Sequence, residues 1–81
     1  MMVRVLMFAQ ARETIGESAI ELELPEGSTV ESFRKVLSQR FPSLVRLLPQ
    51  AMISVDQVYA NNSDRLHHGA EVGIIPPVGG G

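Results

Sequence analysis

The chain has 81 residues, no cysteine, and a net charge of −2 from seven basic and nine acidic side chains. That length supports one domain around one core, since so short a chain buries only about 60–65% of its unfolded surface. The missing cysteines exclude disulfides, thiolate metal sites and a cysteine nucleophile. The basic residues are scattered from Arg4 to Arg65 and leave no nucleic-acid footprint. The start, Met1 to Phe8, is apolar, but it has no extended hydrophobic region or small-residue cleavage site before Gln10 and Arg12. No stretch approaches the ~20 apolar residues of a membrane span. A soluble, cytoplasmic protein is therefore expected, with no nucleic-acid or membrane partner.

Met2 to Ala9 reads as a strand that is largely apolar on both faces after Arg4, as suits a central position. Gln10 to Gly16 is polar and ends in glycine, which points to a loop or one helical turn. Glu17 to Leu24 alternates, with Ile20, Leu22 and Leu24 opposite Ala19, Glu21 and Glu23, so it reads as a half-buried strand with an acidic outer face. After the turn Pro25-Glu26-Gly27, Ser28 and Glu31 have the spacing of a capping box. A helix is predicted from Thr29 to about Phe41, with Val30, Phe33, Val36 or Leu37, and Phe41 as its apolar stripe. Pro42 stops it, and a short second helical turn follows over Ser43 to Leu48. Met52 to Val55 is a third strand, Asp56-Gln57 a turn, and Val58 to Ala60 a short return strand. Asn61 to Asp64 is a loop, His67 to Ala70 a turn, and Glu71 to Ile75 the last strand.

One good helix for four or five strands is most economically laid across one face of a mixed sheet. The first and last strands are the most apolar, and pairing them at the sheet centre gives an α+β fold of the β-grasp, ubiquitin-like type. The sheet is then mixed and four- or five-stranded, with one main helix and a short second one. The last strand delivers the end of the chain from the sheet. Residues 1–76 form the domain and residues 77–81 a flexible tail.

That end is unusual. Pro76-Pro77 removes two N–H donors and holds φ near −65°, so the chain leaves the sheet at Pro76 in an extended conformation. Val78 and three glycines, Gly79, Gly80 and Gly81, complete it, with no bulky or charged side chain after Val78. Glycines have no Cβ and can enter a channel too narrow for side chains. From Pro77 to Gly81 the arm spans about 17 Å when extended. A frayed chain end is the plainer reading of the glycines; the stiff diproline before them favours an arm that presents a carboxylate.

Conventional catalytic equipment is missing. His67-His68 lies in a predicted turn without the i, i+4 spacing of a helical metal pair, so it reads as solvated, and no metal site is expected. Ser28 has no G-x-S-x-G context. Glu21, Glu23, Glu26 and Glu31 read as a solvated acidic surface. The α-carboxyl of Gly81 remains. It is ionised at neutral pH and becomes an acyl donor only when activated, for example as a mixed anhydride with AMP.

The stretches Val5-Leu6-Met7-Phe8-Ala9-Gln10-Ala11-Arg12-Glu13 with Gly16, Val55-Asp56-Gln57, and Gly69 to Val78 with terminal Gly80-Gly81 resemble the sulfur-carrier small subunits of molybdopterin synthases. The resemblance covers nearly the whole chain, and its I-I-P-P-V tail followed by glycines is its most specific part. Asp56 stands where that family often has Asn, and Gly79 where it usually has Ser or Thr. The resemblance implies a cycle at the chain end. An E1-like adenylating enzyme converts the Gly81 carboxylate to an acyl-adenylate with Mg-ATP, and a sulfur source makes a C-terminal thiocarboxylate. The tail then enters the active site of the large synthase subunit, in a heterotetramer, and sulfur passes to a pyranopterin precursor to build the dithiolene. No cofactor is implied for the carrier itself, which is a non-autonomous subunit of a sulfurtransferase. Partner-facing positions map onto Phe8, Tyr59 and Ile75, with Pro76, Pro77 and Val78 leading to the tail. Each of the first three also fits ordinary core packing, Ile75 most readily. The rival readings are a carrier for thiamin, cysteine or tRNA sulfur, a ubiquitin-like tag, and a β-grasp binding module with an inert tail.

Overall fold

A computed structural model describes residues 1–77. Five strands and two α-helices follow one another as β1 (Met2–Met7), α1 (Ala9–Ile15), β2 (Ala19–Glu23), α2 (Val30–Arg40), β3 (Met52–Val55), β4 (Val58–Tyr59) and β5 (Glu71–Ile75). The strands form one sheet in the order β2-β1-β5-β3-β4. The two most apolar strands, β1 and β5, lie side by side and parallel, with Val5 opposite Val72 and Met7 opposite Ile74. Every other pairing is antiparallel.

Alternation along the strands sends one set of side chains to α2. Val3, Val5 and Met7 from β1, Leu22 from β2, Ile53 from β3, and Val72 and Ile74 from β5 are all buried against Val30, Phe33 and Leu37 of the helix. Leu44 and Leu48 close the core from below, on two short 3₁₀ turns, Pro42–Leu44 and Leu48–Gln50, which replace the single helical turn expected at 43–48. Arg34 reaches across from α2 and donates to the carbonyls of Leu48 and Ala51 and to Asn62 Oδ1. Partial burial there lowers the pKa of its guanidinium from the ordinary value.

Two segments differ from the sequence expectation. The segment 10–16 is a full two-turn helix, α1, closed by Gly16 in the left-handed conformation (φ 84°) with its N–H on the Arg12 carbonyl. This is the short second helix of the fold; it lies before β2, not after α2. The α2 cap is Thr29, whose hydroxyl accepts from the Ser32 N–H at 3.2 Å. Ser28 is buried, and its hydroxyl instead donates to the Pro25 carbonyl at 2.7 Å. The first helix donors go to the loop at 61–64, with Val30 N–H on the Asp64 carbonyl and Glu31 N–H on that of Asn62. A distant loop thus accepts from the Glu31 N–H, the role that the capping box assigned to the Ser28 hydroxyl, and the Pro25 carbonyl accepts from the Ser28 N–H in place of the Glu31 side chain.

Candidate interaction site at the end of the central strand

Since Val72 and Ile74 point to α2, Gly73 and Ile75 point to the opposite face of the sheet, away from that helix. Across that face Gly73 lies opposite Leu6 on one side and Ser54 on the other, and Ser54 lies opposite Tyr59. Ile75 lies opposite Met52. Phe8 continues the alternation of β1 by one residue, in extended conformation, and its ring lies over Gly73. A Cβ on Gly73 would come within 3.2 Å of that ring and within 2.5 Å of Ser54 Oγ. This close approach is why a glycine interrupts an otherwise apolar strand.

Phe8, Met52 and Tyr59 are 45%, 51% and 66% exposed, so with half-buried Leu6 and Ile75 they form an apolar patch open to solvent. The other end of the same face is charged: Arg4 lies opposite both Glu21 and Glu71. The face is therefore polar where β5 begins and apolar where it ends. The Phe8 position depends on a sharp corner. Ala9 has φ 48°, which turns the chain from β1 into α1, and the Phe8 carbonyl accepts from the Ala11 N–H at 3.0 Å.

Beyond Ile75 the sheet stops. Pro76 is buried and Pro77 is exposed, at the rim of a cleft of about 400 Å³ that also borders Gln10, Arg46 and Gln50. Phe8, Ile75, Pro76 and Pro77 thus gather at one end of the sheet, and Tyr59 lies on the same face, level with Gly73 and two strands from it. Val78, Gly79, Gly80 and Gly81 lie outside the described residues. Met52, Leu6, Ser54 and Gly73 join the patch without having been singled out. Only the gap in side chains at Gly73 was a signal of close approach visible in sequence.

The turns on the far side of β5 hold a polar contact that the reading of His67-His68 as solvated missed. His67 Nε2 is 2.7 Å from Asp56 Oδ2, and His67 Nδ1 is 3.0 Å from the His68 carbonyl. His68 Nδ1 accepts from the Met2 N–H at 3.0 Å. The Glu71 N–H donates to Asp56 Oδ1 and, with the His67 ring, holds the Asp56 carboxyl below its ordinary pKa. Asp56, and next the His68 carbonyl, hold the His67 imidazole above its own.

An apolar patch beside a strand terminus can bind a partner but has no group that makes or breaks bonds. Among the described residues there is no cluster of three or more His, Cys, Asp or Glu able to hold a metal ion. No helix among them is long and apolar enough to cross a membrane.

The ThiS family matches this chain over residues 5–81. A molybdopterin synthase sulfur carrier subunit of Caenorhabditis briggsae is 35% identical, over 98% of this chain and 96% of that protein. The crystal structure of SAMP1 from Haloferax volcanii shares the fold, with a TM-score of 0.87 at 20% identity and full coverage of both chains. A protein–protein complex of subunits 1 and 2 of the molybdopterin-converting factor from Helicobacter pylori matches with a TM-score of 0.72 at 26% identity, also over all of both chains. In sequence and in fold, this chain belongs to the ThiS family of β-grasp sulfur carriers.

Proposed function

We propose that this chain is the sulfur carrier subunit of a molybdopterin synthase, acting in the cytoplasm through the α-carboxylate of Gly81. The observation that carries this reading is a coincidence of place: the central strand ends in Pro76-Pro77 at the same end of the sheet as the patch of exposed Phe8 and Met52 and half-buried Ile75, with Tyr59 on the same face. A partner seated on the patch is positioned to receive residues 78–81. The similarity to molybdopterin synthase carriers over the whole length of the chain supports the choice of pathway.

The chemistry follows from the carboxylate. In an E1-like adenylating enzyme, a Gly81 carboxylate oxygen attacks the α-phosphorus of Mg-ATP; pyrophosphate leaves and an acyl-adenylate forms. A hydrosulfide-level sulfur nucleophile adds to the acyl carbon, and AMP leaves with the former carboxylate oxygen. Glycine presents that carbon without a side chain to hinder attack. The resulting thiocarboxylate enters the large synthase subunit, where the active site lies and where its sulfur passes to a pyranopterin precursor. The carrier contributes docking, reach and the terminal group. Mg-ATP belongs to the activating partner.

The test is the intact mass of the full chain after incubation with Mg-ATP, a sulfur donor and the adenylating enzyme. A gain equal to one oxygen replaced by sulfur, localised to Gly81 and dependent on ATP, is expected. Deleting Gly81 removes that gain and leaves the melting curve unchanged. If the truncated chain still supports cofactor synthesis, the carrier reading is wrong.

A further inference from the structure

Tyr59 sits on the least supported strand of the sheet. β4 has two residues and, among the described residues, pairs with β3 alone at the edge of the sheet. The turn before it places two non-glycine residues at positive φ, Asp56 at 49° and Gln57 at 72°, as a two-residue primed hairpin turn requires. Such conformations persist only where the surroundings hold them. Here the hold is a link to β5. The Asp56 N–H donates to the Glu71 carbonyl at 2.8 Å, and the Glu71 N–H donates back to Asp56 Oδ1 at 3.0 Å. The second carboxylate oxygen meets His67 Nε2.

His67 has an oxygen acceptor at each ring nitrogen: Asp56 Oδ2 at Nε2 and the His68 carbonyl at Nδ1. A neutral imidazole has one N–H, so only the imidazolium satisfies both contacts. The next residues anchor this turn to the centre of the sheet, since Gly69 N–H donates to the Met2 carbonyl and Arg4 N–H to that of Ala70. The pair thus ties the edge hairpin to the strands that the core holds rigid.

We propose that Asp56 and His67 form a proton-dependent clasp that positions the Tyr59 hairpin for docking. The inference rests on the carrier reading only for what docks. Asp56 is the one acidic group within ion-pair distance of His67 among the described residues. Glu71 faces Asp56 through its backbone, and the register sets the residue opposite Arg4. His68 is the other titratable side chain of this turn, and its Nδ1 accepts from the Met2 N–H. When His67 loses its proton, one ring nitrogen faces an oxygen with no hydrogen between them. The contact to Asp56 Oδ2 then falls from an ion pair to at most a neutral hydrogen bond, so the clasp loosens while the Asp56–Glu71 backbone link remains.

The clasp is read first on the free, full-length chain by amide exchange at Ala60, whose N–H donates to the Ile53 carbonyl at 2.9 Å and closes the hairpin. Its protection factor should fall about two- to fivefold between about pH 5.5 and about pH 8.5, the scale of an exposed ion pair, while core amides hold theirs. Asp56→Asn keeps an acceptor for the Glu71 N–H and loses the charge; His67→Gln loses the imidazolium. Both variants should show the low protection at every pH and match the unsubstituted chain at high pH. Affinity for the large synthase subunit should weaken over the same pH range by a similar factor, and in the variants it should be independent of pH. Unchanged Ala60 protection in His67→Gln at low pH, or a persistent pH dependence in Asp56→Asn, overturns the clasp. Equal affinity at both pH values despite a change at Ala60 overturns its role in docking. No binding by the unsubstituted chain at either pH overturns the carrier reading instead, and the clasp is still decided at Ala60.

Discussion

The two faces of the sheet are built from the same strands and meet different fates. On the helix side, Val5, Val72 and Ile74 are fully buried beneath Phe33 and Leu37. On the open side, Leu6, Phe8, Ile75 and Met52 come from those same strands or from β3 and remain partly or largely exposed. Both faces are apolar at the end of β5, so hydrophobicity does not distinguish them. Their cover does. The helix face is satisfied within the chain, whereas the open face leaves an exposed apolar patch of the kind that interaction surfaces carry. The open face is charged at Arg4 and apolar from the level of Leu6 and Tyr59 to Pro76-Pro77.

If the faces have these separate roles, substitutions on them should separate stability from docking. Phe33→Ala should destabilise the fold by about 3–5 kcal/mol in urea unfolding, because it empties a large buried site. Tyr59→Ala and Phe8→Ala should change stability by only about 0.5 kcal/mol, yet weaken binding to the large synthase subunit tenfold or more, equivalent to about 1.4 kcal/mol or above, as measured by calorimetry. A stability loss in Tyr59→Ala as large as in Phe33→Ala would erase the distinction between the faces. Gly73→Ala tests the boundary between them. Its new Cβ would meet Ser54 Oγ and the Phe8 ring, and Ser54 can rotate while the ring must shift. A loss of affinity exceeding the loss of stability is expected, and the reverse order would place Gly73 with the core.

The smaller effects lie in the edge hairpin. Gln57→Gly should raise stability by up to about 1 kcal/mol in thermal unfolding, because glycine adopts φ 72° without a Cβ clash. The Asp56–His67 pair should make stability weakly dependent on pH. The His67 pKa is raised above 6.5, so its contribution is fully present below pH 6.5 and is lost as pH rises through the raised value. The Asp56 pKa is lowered below 3.8, so its contribution is fully present above pH 3.8 and is lost as pH falls through the lowered value. The pair is therefore strongest between these limits, and His67→Gln should flatten the alkaline side of a melting-temperature profile.

Elements with strong periodicity or punctuation were legible in the chain alone. The alternation of Ile20 to Leu24, the apolar stripe from Val30 to Leu37, and the proline stop after Ile75 are local patterns that translate directly into a strand, a helix and a strand end. The first and last strands, apolar on both faces, also pointed to the centre of the sheet, where β1 and β5 lie. Tertiary structure alone decided the contacts between residues distant in the chain. Thr29 rather than Ser28 caps α2 because Ser28 is drawn into a bond with Pro25 and the loop at 61–64 supplies the remaining acceptors. Met52 joins the patch only through the register that sets it opposite Ile75. Asp56 and His67 are eleven residues apart on separate turns, and no local pattern pairs them. Periodicity reports which face a residue takes; only the packed sheet decides which neighbour it meets there.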